Sequence, residues 1–135
     1  MDGPRGTEVR FSPDGRWLAT IDRQGSEPAV GVWDAQTLLP FRSYAESVTA
    51  NDLAFSPDGQ LRAFSDVVDN SIRLWWPDSD QRATLEGHVE SPLAITFSPD
   101  GKLLYSVSAR EGVLQWDVGS QRLRRQFDLP RPLWP

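Results

Sequence analysis

A chain of 135 residues has the length of one domain, and with 39% apolar residues it should fold rather than remain disordered. Its 14 basic and 19 acidic residues leave a net charge of −5, which excludes a general electrostatic attraction to nucleic acid or an anionic membrane. The lack of cysteine and the single histidine exclude a disulfide framework, a zinc–thiolate centre and any multi-histidine metal site. No cofactor is expected. No apolar run approaches the roughly 20 residues of a membrane span. The N-terminus, M-D-G-P-R-G-T-E, lacks a secretory apolar core, so the expected location is cytoplasmic.

Along the chain, the pentapeptide F-S-P-D-G stands at 11–15, 55–59 and 97–101, with starts 44 and 42 residues apart. A tryptophan follows each copy, at Trp33, Trp75 and Trp116, spaced by 42 and 41 residues. Two markers holding one period define a three-fold repeat of about 42 residues. Each copy opens on a strand whose apolar residues lie two apart: Val9 and Phe11, Leu53 and Phe55, Ile95 and Phe97. S-P-D-G then turns the chain, proline presetting one backbone angle and glycine accepting a positive φ. A second strand, a polar loop and the tryptophan strand come next. A fourth strand is predicted near 38–44, 82–85 and 122–127. The segment 128–135 holds three prolines and should be extended or disordered.

This layout resembles the WD-repeat β-propeller family, in the bacterial style of the repeat. The third copy carries the likeness best, running from Gly87-His88 through Phe97 to Trp116-Asp117. The first shares Trp33-Asp34. The second departs, with Ala45-Glu46 in place of Gly-His and Trp76 after Trp75 in place of Asp. The resemblance implies an all-β fold of three four-stranded antiparallel blades, at about 7–44, 45–86 and 87–127. Known propellers close with four to eight blades, so three make an incomplete one. The family's buried hydrogen-bonded set of His, Ser or Thr, Trp and turn Asp maps onto His88, Ser106 and Trp116. Arg110 stands at the turn position, so the set is expected to be incomplete. Phe64 at the small-polar position excludes the set from the second copy.

The functional expectation is a non-catalytic scaffold or sensor segment with protein partners, part of a larger propeller or of a homo-oligomer that completes a ring. The alternatives are a propeller-type hydrolase or lactonase, and a truncated fragment without independent function. His88 is the one candidate general base, with Ser91 near it in sequence, and its repeat position favours a structural role. The Asp-Gly pairs read as turns and the acidic stretches 66–69 and 78–80 as solvated loops, so no metal site is expected. Trp76 and Trp134 stand outside the pattern and are candidate interaction residues. Arg122, Arg124, Arg125 and Arg131 form a basic patch that would also protect an edge strand from pairing.

Overall fold

The computed structural model describes residues 8–21, 30–44 and 50–128. The predicted tail from 129 onward, with Trp134 and Arg131, lies outside them, as does Ala45-Glu46. Twelve strands are present: β1 (Glu8–Phe11), β2 (Trp17–Ile21), β3 (Val30–Asp34), β4 (Pro40–Ser43), β5 (Ala50–Phe55), β6 (Arg62–Asp66), β7 (Ile72–Trp76), β8 (Gln81–Leu85), β9 (Ala94–Phe97), β10 (Leu103–Ser108), β11 (Gly112–Asp117) and β12 (Arg122–Phe127). They form three antiparallel sheets in sequential order, β1 to β4, β5 to β8 and β9 to β12. These are blades one, two and three.

The S-P-D-G turns share one design. In each, the serine hydroxyl donates to the aspartate Oδ1 at 2.6–2.7 Å and accepts the backbone N–H that opens the next strand. The glycines sit at φ 74–75°, a left-handed conformation that a Cβ disfavours. A second shared turn joins the tryptophan strand to the outer strand. There Leu38, Asp80 and Gln121 hold φ of 60–61°, and in blades one and three Asp34 and Asp117 cap the turn through Oδ1. Those two blades also carry a bulge at the tryptophan, between Val32 and Trp33 and between Gln115 and Trp116. Blade two pairs β7 with β8 without interruption.

Alternation of side chains gives every blade a tryptophan-bearing face and an opposite face. Ala19, Ile21, Val30 and Val32 of blade one pack against Leu53, Phe64 and Trp75 of blade two, with Tyr44 edge-on to Phe64 and Trp75. Ala63, Ile72 and Leu74 of blade two pack in turn against Ile95, Leu104 and Trp116 of blade three. The junction is one interface used twice. At both ends of the described array its halves are open. Val9 is 60% exposed, whereas its register equivalents Leu53 and Ile95 are 1% and 7% exposed. On the opposite face of blade three, Tyr105, Val107 and Val113 line an open depression of about 230 Å³.

Candidate functional site

The single histidine sits at the head of blade three, in the connection before β9. Gly87 precedes it because a Cβ there would stand 2.9 Å from the Trp116 ring. His88 itself is enclosed, its side chain 1% exposed. His88 Nε2 lies 2.6 Å from Ser106 Oγ on β10, and Trp116 Nε1 donates to the same oxygen at 2.9 Å from β11. The expectation of an incomplete set needs correcting. Glu111, one residue beyond Arg110, places Oε2 2.7 Å from His88 Nδ1 and accepts the Val89 N–H on Oε1 at 2.8 Å. Burial alone would raise the Glu111 carboxyl; hydrogen bonds from His88, Val89 and Ser108 outweigh it and hold the group below its ordinary value. Arg110 faces away, its backbone N–H taken by Glu90.

A consistent proton arrangement follows. Nδ1–H donates to the carboxylate, leaving Nε2 to accept from Ser106, whose oxygen accepts from Trp116. Ser106 is 2% exposed. Ser91, the sequence neighbour, hydrogen-bonds instead to Val67 O and Asn70 Oδ1 of blade two.

The other blades hold their tryptophans differently. Trp33 Nε1 donates to Thr20 Oγ1 at 3.1 Å, and Thr20 occupies in β2 the register position of Ser106. Trp75 Nε1 donates to Asp80 Oδ1 at 2.9 Å, since Phe64 fills the hydroxyl's place. Asp80 is therefore more than a solvated loop residue. The same correction applies to Asp66, which is buried and paired with Arg73. Among the described residues no group of three or more His, Asp and Glu side chains is arranged to hold a metal ion, and no helix is long and apolar enough to cross a membrane.

Three surface features remain. Val68, Val89 and Leu93 are 75%, 81% and 58% exposed, all in the β6–β7 and β8–β9 connections that Ser91 ties together. Trp76 is half-buried against the core between blades two and three and walls a depression there. Arg122, Arg124 and Arg125 lie on the exposed outer strand β12, with Arg125 over the Phe127 ring.

A family profile for the WD40 repeat (WD domain, G-beta repeat) matches residues 38–75 and 79–117. The chain belongs to the WD40 repeat family. Human WD repeat and SOCS box-containing protein 1 is 34% identical over 114 residues, covering 81% of this chain and 26% of that protein. The Drosophila melanogaster protein groucho is 30% identical over 125 residues, 89% of this chain and 16% of its own length. Among solved structures, Kuenenia stuttgartiensis hydrazine synthase superposes with a TM-score of 0.78 at 25% identity, over 93% of this chain and 36% of that one. The chain thus spans about a quarter of the length of the first relatives it matches. Each matched WD40 unit runs from the outer strand of one blade through three strands of the next, β4 to β7 and then β8 to β11.

Proposed function

We propose that this WD40 chain is a non-catalytic protein-interaction module, a scaffold or sensor segment whose loops meet a protein partner. One observation carries the reading. The chain's sole histidine is enclosed and hydrogen-bonded at both nitrogens, whereas Val89 and Val68, the most exposed large apolar side chains among the described residues, project from connecting loops. The reading extends to the two open blade faces, which take further blades: more of a longer chain, or a second copy in a six-bladed ring. The hydrogen-bonded chain Ser106, His88 and Glu111 has the order of a hydrolytic triad and favours a second reading, a propeller-type hydrolase. The enclosure of Ser106 argues against it.

Two measurements test this. Ester and lactone substrates should show no turnover; turnover that His88→Ala abolishes in a protein still folded would overturn the reading. Light scattering on the isolated chain decides what covers the open faces. A mass near twice 15.2 kDa supports the second copy, and a monomer that binds hydrophobic dye supports further blades.

A further inference from the structure

The S-P-D-G turns of successive blades stack closely: a Cβ on Gly59 would lie 3.9 Å from Ser12 Cβ, and one on Gly101 3.3 Å from Pro57 Cδ. Beneath the first stack sits an internal cation. Arg62 of β6 is 3% exposed; its Nη1 donates to Gly59 O at 2.6 Å and its guanidinium lies over the Phe55 ring at 4.7 Å. Asp78 acts on it electrostatically, as do Asp14 and Asp58 of the two flanking turns. Blade three has Leu104 at the same register position, paired like Arg62 with the strand Phe and Trp. Between blades two and three the cation is therefore missing while both turn carboxylates remain.

What stands there is a depression of about 260 Å³ lined by Pro57, Asp58, Leu61, Trp76, Asp100 and Val118. Asp58 and Asp100 each commit Oδ1 to their own turn, and Oδ2 of both takes no hydrogen bond among the described residues. Arg62 acts on Asp58 and Lys102 on Asp100 electrostatically, but neither cation lines the depression. Trp76 replaces the capping aspartate of the other blades and supplies an aromatic wall. Two carboxylates beside an indole suit a planar cation, which pairs with the first and stacks on the second.

We propose that this slot receives an arginine side chain of a partner polypeptide, in the manner of Arg62 one blade earlier. The inference rests on the interaction-module reading and names the chemistry one contact would have. Its test is a titration of the full chain with N-acetyl-arginine methylamide, followed by nuclear magnetic resonance, with the neutral citrulline analogue as control. Saturable shifts at the Trp76 indole and the Gly101 amide are expected, with the citrulline probe at least tenfold weaker. Asp58→Asn with Asp100→Asn, which keeps the turn acceptors but removes the charge, should weaken arginine binding at least tenfold. Trp76→Leu should do the same without touching either turn. No response to arginine, an equal response to both probes, or shifts that both variants leave intact overturns the proposal. A failed slot leaves loop-mediated binding standing, whereas failure of the module reading would appear as His88-dependent turnover.

Discussion

Glu111 reaches the His88 ring and the Val89 backbone with one carboxylate, from a loop where a neighbouring arginine points to solvent. Removing it leaves an imidazole N–H without an acceptor in a buried place, so Glu111→Ala should cost about 1–3 kcal/mol in urea unfolding. Arg110→Ala should stay within about 0.5 kcal/mol. Much of this arrangement was legible beforehand: Gly87, His88, Ser106 and Trp116 stand in the sequence at the family's spacing. Glu111 was hidden because the expectation fixed both residue type and position, while a side chain one methylene longer acts from one residue further on. Thr20 was missed for another reason. It stands 13 residues before Trp33, where Ser106 stands 10 before Trp116, yet both lie opposite the residue two before their tryptophan. Register reveals that equivalence and spacing conceals it.

At the scale of the element, the three S-P-D-G turns act as titratable clasps. Asp14, Asp58 and Asp100 are all held below the ordinary 3.8, first by the serine hydroxyl and then by the backbone N–H two residues on. A carboxyl lowered in the folded state contributes stability above its unfolded value, and that contribution disappears as pH falls through the folded value. Thermal midpoints should therefore drop as pH falls below the ordinary carboxylate value of 3.8. Asn at all three positions, which keeps an acceptor but does not titrate there, should flatten the drop. Asp34 and Asp117, lowered by the turns they cap, account for part of the slope that remains. These turns were readable because proline, aspartate and glycine each do a distinct local job. The bulges at Trp33 and Trp116 were not, since a bulge adds a residue to one partner strand without a residue type that announces it.

For the whole molecule, stability lies in the two blade junctions. Leu74→Ala empties a buried position between blades two and three and should cost about 2–5 kcal/mol. Phe11→Ser, on the open face of blade one, should fall within about 0.5 kcal/mol in the monomer. A loss much larger than that, dependent on protein concentration, would show the face covered by a second copy. The period of the repeat made the number of blades legible, but a linear pattern carries no record of which faces meet. That emerged from the register pairs, which put Val9, Leu53 and Ile95 at one position in three surroundings.

The matched units, 38–75 and 79–117, are out of step with the sheets by one strand. Duplicating such a unit would never append a free-standing blade. The new segment would first lay down an outer strand along an existing edge, and only then begin a sheet of its own. Lengthening is thus templated: each addition must finish its predecessor before it can start, and the seams between matched segments fall inside hydrogen-bonded sheets, between the third strand and the outer one.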